Sequence, residues 1–173
     1  MTETTEADEM DDAKPTDATG EPDGAAVRFP PPFVPLIALA VGIALQLRWL
    51  LALPVHGLLR YGLGALLLLV GLGAMGAAIG RFREIGQDPK PWVATPAIVS
   101  TGIYRFTRNP MYLGMGLMQA GFGVALANGW VFLLVPVTCF VIARIAIRHE
   151  EAYLEGKFGA EYTDYKARVR RWI

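Results

Sequence analysis

Four runs of apolar residues, Phe33–Leu53, Leu58–Gly80, Met111–Ala127 and Trp130–Ile147, constrain this chain more than anything else in it. A helix crossing the hydrocarbon core of a bilayer needs about 20 such residues. The first two runs reach that length. The last two are shorter and are separated only by Asn128-Gly129, a turn-forming dipeptide. The pattern predicts an all-α integral membrane bundle of four transmembrane helices, the last two forming a tight hairpin. The competing reading, core helices of a soluble domain, needs polar surface to cover them, and 53% of the residues are hydrophobic.

Between and around these runs the sequence divides the chain. Pro30-Pro31-Pro32 precedes the first helix and Pro54 is expected to end it. Residues 1–28 read as a disordered acidic tail: residues 1–24 hold nine of the sixteen acids and one base, Lys14, with no apolar periodicity. Residues 29–80 hold the first two spans, 81–110 a polar loop, 111–147 the hairpin and 148–173 a polar C-terminal region. Arg81, Arg83, Lys90, Arg105 and Arg108 crowd the loop, and six further bases follow Ile147, whereas the Asn128-Gly129 turn has none. The positive-inside rule then places both termini and both polar regions in the cytoplasm, as in a bacterial inner-membrane protein.

Small residues mark where helices can approach closely in lipid: Gly76 with Gly80, Gly116 with Ala120, and further notches at Gly71, Gly73, Gly121 and Gly123. Phe158, Tyr162, Tyr165, Val169 and Trp172 recur at helical spacing. They predict an amphipathic C-terminal helix that lies on the membrane interface or packs against the polar region. Cys139 is the only cysteine, and His56 and His149 are the only histidines, so an internal disulfide is excluded and a metal centre has few ligands to draw on. Nothing in the sequence suggests nucleic-acid binding, and it leaves the oligomeric state open.

Two polar stretches abut the hairpin, where ionisable groups are costly unless they serve a purpose. The first is Gly102-Ile103-Tyr104-Arg105-Phe106-Thr107-Arg108-Asn109-Pro110-Met111-Tyr112. Asn109-Pro110 reads simply as an N-cap and first helical residue, and a helix N-terminus can also receive an anion. The second is Arg148-His149-Glu150-Glu151, followed by Phe158-Gly159-Ala160-Glu161-Tyr162. Adjacent carboxylates on a helix point about 100° apart, so at most one is expected to face a given pocket. Arg144 and Arg148, four apart, either snorkel to headgroups or face an anion.

Together these stretches resemble the cofactor-binding half of the isoprenylcysteine carboxyl methyltransferase and phospholipid methyltransferase family of integral membrane enzymes, over roughly residues 80–172. The resemblance implies S-adenosylmethionine as cofactor and a lipidic or prenylated acceptor carrying a carboxyl, amine or thiol, reached from the bilayer. Gly102, Tyr104, Arg108, Pro110 and Tyr112 match the family's motif, with Asn109 where many members have His. By the same resemblance, Gln87, Ala97, Ile98, Val99, Tyr104, Asn109, Pro110, Met111, Tyr112 and Glu150 are the cofactor-binding residues. Arg144, Arg148 and Glu151 are the candidates for acceptor binding and catalysis. The family's substrate-holding Arg has Ala146 as its counterpart here, with Arg144 and Arg148 on either side. Two other classes are weighed: an NADPH-dependent membrane reductase resembling the sterol reductases, and a non-catalytic membrane protein that retains the scaffold.

Overall fold

The computed structural model describes residues 24–173, so the expectation for the acidic leader up to residue 23 lies outside the described residues. The described chain is all-α. Helices α1 (Phe33–Arg48), α2 (Gly57–Glu84), α3 (Pro110–Ala125) and α4 (Gly129–Ile142) form the apolar body. A π-helical turn, Ala143–Ile147, continues α4 into α5 (Arg148–Phe158), and α6 (Ala160–Arg168) follows. Gly57–Glu84 and Gly129–Phe158 are long and apolar enough to cross a membrane, and α1 is apolar but shorter. Leu47, Leu58, Leu59, Leu69 and Phe140 lie exposed on their outer faces, which suits a lipid surround.

Backbone contact between α2 and α3 sets the bundle. A Cβ placed on Gly114 would lie 2.6 Å from the carbonyl oxygen of Gly71, and one on Gly71 would lie 2.7 Å from that of Gly114. Two turns away, Gly121 approaches the carbonyl of Gly64 in the same manner, at 2.9 Å. Two facing glycine pairs seven residues apart therefore form the seam, as expected where close approach replaces hydrophobic drive. The expected notches at Gly73, Gly76 and Gly80 are different: a Cβ there meets nothing, because that face of α2 points away from the bundle. Gly116 and Gly123 instead face α4, near Cys139 and Phe132.

The first helix ends earlier than the apolar run suggests. Arg48 closes α1 and Trp49 is extended, so residues 49–53 leave the helix although they are apolar. They dock on the hairpin turn. Gly129 donates its N–H to the Leu51 carbonyl and Leu53 to that of Ala127, while Trp130 Nε1 donates to the Trp49 carbonyl at 2.7 Å. Asn128 holds both sides: its Oδ1 caps α4 by accepting from Val131 N at 3.1 Å, and its Nδ2 donates to the Gly42 carbonyl of α1 at 3.2 Å. The backbone needs of a turn thus override the apolar composition of its neighbour.

Two further boundaries are corrected. Ala25 and Val27 are buried in a core with Tyr112, Ile142, Ala146 and Ile147, and Ala25 N donates to the Pro91 carbonyl. Residues 24–28 therefore belong to the packed body. At the other end Gly159, with φ 53°, breaks the expected amphipathic helix into α5 and α6. Beyond Arg168 the chain turns extended at Val169, so the aromatic stripe does not share one helix.

Candidate active site

Between the N-terminal ends of α3 and α5 lies a pocket roofed by the loop after α2. The loop reaches it through Gln87, which is buried and donates Nε2 to the Ala97 carbonyl at 2.9 Å. This strut sets Ala97, Ile98 and Val99 against the pocket as an apolar wall, while Gln87 itself stays behind the wall. Thr95 N donates to the Tyr153 hydroxyl, tying the same loop to α5.

The first polar stretch forms the opposite wall. Gly102, at φ +59°, turns the chain into a short 3-10 helix, Gly102–Arg105. Tyr104 is buried there with its ring edge-on to Phe82 at 5.9 Å between centroids. The Tyr165 hydroxyl donates to the Tyr104 carbonyl at 2.8 Å, fixing α6 against this turn. Among the described residues the Tyr104 hydroxyl has no hydrogen-bond partner. Burial first, and then the nearby Tyr165 and Glu150, hold the Tyr104 phenol well above its ordinary range, so it stays protonated. Burial likewise raises Tyr165, and pushes Tyr162 up to about 12.

Asn109 occupies the N-cap position of α3 but does not cap it. Its Nδ2 donates instead to the Arg171 carbonyl at 2.9 Å, which Thr107 Oγ1 also reaches at 3.2 Å. Asn109, Pro110, Met111 and Tyr112 all line the pocket. The Tyr112 hydroxyl donates to Glu150 Oε1, joining the start of α3 to the start of α5 across 38 residues.

Glu150 and Glu151 both line the pocket, contrary to the expectation that only one would. They do different things. Glu150 faces Tyr112. Glu151 is held by Arg171, Nε to Oε1 at 3.0 Å and Nη2 to Oε2 at 2.6 Å, and lies 3.2 Å from Arg108 Nη1. That bond from Glu151 raises the Arg171 guanidinium further above its ordinary value. Held between two cations, Glu151 orients guanidinium groups here.

Arg144 and Arg148 are not brought to the pocket. Both are exposed, and the Arg144 guanidinium sits 4.8 Å over the ring of Phe140. The π-helical turn directs Ile142, Ala146 and Ile147 inward and so leaves these cations outside. Ala146, the counterpart of the family's substrate-holding Arg, is fully buried. Sequence reasoning did not include Arg108, Tyr162 and Tyr165 among the site residues, although all three line the pocket. Arg108 stood inside the quoted motif, and the two tyrosines belonged to the aromatic stripe. Ala25 also lines the pocket and gave no signal in the sequence.

Two helices long and apolar enough to cross a membrane, with a pocket at the N-terminal ends of α3 and α5, fit a membrane protein. The chain belongs to the phospholipid methyltransferase family, whose pattern it matches over residues 59–161. It is 34% identical over 124 residues to the protein-S-isoprenylcysteine O-methyltransferase of Rattus norvegicus, covering 72% of this chain and 41% of that protein. The Saccharomyces cerevisiae protein of the same name is 32% identical over 111 residues, covering 62% of this chain and 46% of that protein. A Haemophilus influenzae protein of uncharacterised function is 43% identical over 63 residues, all of its own length and 36% of this chain. The chain thus spans less than half the length of the isoprenylcysteine methyltransferases it matches. No solved structure matches it significantly.

Proposed function

We propose that the chain is an S-adenosylmethionine-dependent methyltransferase whose acceptor is lipidic or prenylated and arrives from the bilayer. In this reading four helices span a bacterial inner membrane, both termini are cytoplasmic, and the pocket opens at the inner leaflet. The observation that carries it is the Tyr112–Glu150 contact, which closes one pocket from two segments that both match the family.

The residues present fit the donor on their own chemistry. The Arg108 side chain is only 9% exposed, yet among the described residues its Nε and Nη1 have no hydrogen-bond partner, which suits a carboxylate. Glu150 offers negative charge for an ammonium or sulfonium. Tyr104, Tyr162 and Tyr165 supply aromatic surface that favours a cation, and Ala97–Val99 an apolar wall for a purine. When bound, the donor supplies an activated methyl group on a cationic sulfur. The chain's part is to align the acceptor and to exclude water. A carboxylate acceptor is already ionised at neutral pH and needs no base. An amine acceptor must lose a proton, and among the described residues no cation pairs with Glu150, whereas two pair with Glu151.

The test is incubation of membranes containing the chain with methyl-labelled S-adenosylmethionine, followed by mass spectrometry of lipids and of added prenylcysteines. Label in a lipidic or prenylated product, lost in Glu150→Ala, is the expected result. No label in any such product, from protein that is folded and binds the donor, overturns the reading.

A further inference from the structure

We propose that Arg171, which does not line the pocket, sets the charge available within it: by holding both oxygens of Glu151 it leaves Arg108, which stands 3.2 Å from the same carboxylate, able to hold a second one. The inference rests on the reading of this pocket as a methyl-donor and acceptor site. The cluster contains two guanidinium groups and one carboxylate, so one positive charge is left over. The geometry decides where that charge resides. Arg171 takes both oxygens of Glu151 in a fork, at 3.0 and 2.6 Å, the arrangement that makes an Arg–carboxylate pair strong. Arg108 Nη1 forms an ion pair with Oε1 at 3.2 Å but no hydrogen bond, and among the described residues Arg108 Nε has no hydrogen-bond partner either. Arg108 also lies close enough to Tyr162 to favour its ionised form.

The two cations also differ in surroundings. The Arg108 side chain is 9% exposed and that of Arg171 38%. Solvent can hydrate and screen the Arg171 guanidinium far more than that of Arg108. A buried guanidinium with N–H groups unpaired is costly unless an anion meets it. The leftover charge therefore faces the pocket.

The backbone makes this arrangement specific to the chain end. The Arg171 carbonyl receives Asn109 Nδ2 and Thr107 Oγ1, and the Arg170 carbonyl receives Arg108 N at 3.0 Å. Trp172 packs on the core. The last residues are thus laid along the 107–109 loop by main-chain acceptors, which substitution of the Arg171 side chain leaves in place. Arg171 is a positioning residue, acting through Glu151. Without it, Glu151 is left with Arg108 as its nearest cation, and the free N–H groups are drawn out of the pocket.

Substituting Glu151 then distinguishes this role from simple support. Full-length protein in nanodiscs is titrated by calorimetry with S-adenosylhomocysteine, and separately with N-acetyl-S-farnesylcysteine and its carboxamide. The proteins are wild type, Arg171→Gln, Arg171→Lys and the double variant Arg171→Gln/Glu151→Gln. Loss of one charge-assisted contact predicts weakening on the order of tenfold in Arg171→Gln. Arg171→Lys recovers part of it, and the double variant, which frees Arg108 again, recovers most of it. A loss seen with S-adenosylhomocysteine assigns the carboxylate to the donor. A loss confined to the prenylcysteine and absent from its carboxamide assigns it to the acceptor. Unchanged affinity for both probes overturns the inference, as does a loss that the double variant deepens. If wild type binds neither probe, the pocket reading itself fails and the inference with it.

Discussion

Replacing Gly114 by Ala tests the packing that positions the site. The new methyl would stand 2.6 Å from the Gly71 carbonyl oxygen. Both groups are anchored to helix backbones, so neither can rotate away, and α2 and α3 must separate along their seam. Forcing an extra carbon into a packed interface costs about 1–3 kcal/mol. Gly→Ala within a helix also gains up to about 1 kcal/mol in propensity. Gly76→Ala serves as the control, because it carries the same gain on α2, the other helix of the seam, and meets nothing. The difference between the two variants isolates the clash. For a chain of this length each kcal/mol moves the melting temperature by about 2–4 °C. Gly114→Ala should therefore melt about 2–12 °C below Gly76→Ala when intrinsic tryptophan fluorescence is followed in detergent. Equal melting temperatures would refute the claim that backbone contact between α2 and α3 holds the bundle.

Tyr112→Phe removes the hydroxyl that donates to Glu150 and should weaken S-adenosylhomocysteine binding on the order of tenfold by calorimetry; unchanged affinity would make the contact incidental. Arg144→Ala and Arg148→Ala are expected to leave that affinity within about twofold, since both side chains lie outside the pocket. A large loss in either would return it to the site. Tyr162 holds its proton to about pH 12 in the folded chain, against about 10 unfolded. Its contribution to stability is complete below pH 10 and is lost as pH rises towards 12. Thermal stability measured from pH 9 to 12 should fall less steeply in Tyr162→Phe, and an identical slope would contradict that assignment.

Much of this architecture could be read from residue type alone. The hairpin followed from Asn128-Gly129, and the site's convergence from polar residues placed where apolar ones were expected. Other features depend on contacts that a sequence does not carry. Gly71 and Gly76 look equivalent in sequence, and only the partner helix separates the packed one from the bare one. The π-helical turn is similarly silent. A face count at 3.6 residues per turn carries straight through Ala143–Ile147, and so misplaces Arg144 and Arg148 relative to the glutamates. Asn109 looked like a cap because Asn before Pro usually is one; an acceptor 62 residues away, the Arg171 carbonyl, claimed its amide.

Hydrogen–deuterium exchange with and without S-adenosylhomocysteine addresses the central claim, that two distant polar stretches build one ligand pocket. Slowed exchange should appear together in peptides covering 95–112 and 148–165, and be absent from both in Glu150→Ala. Slowing in only one of these segments, or elsewhere in the chain, would contradict the account.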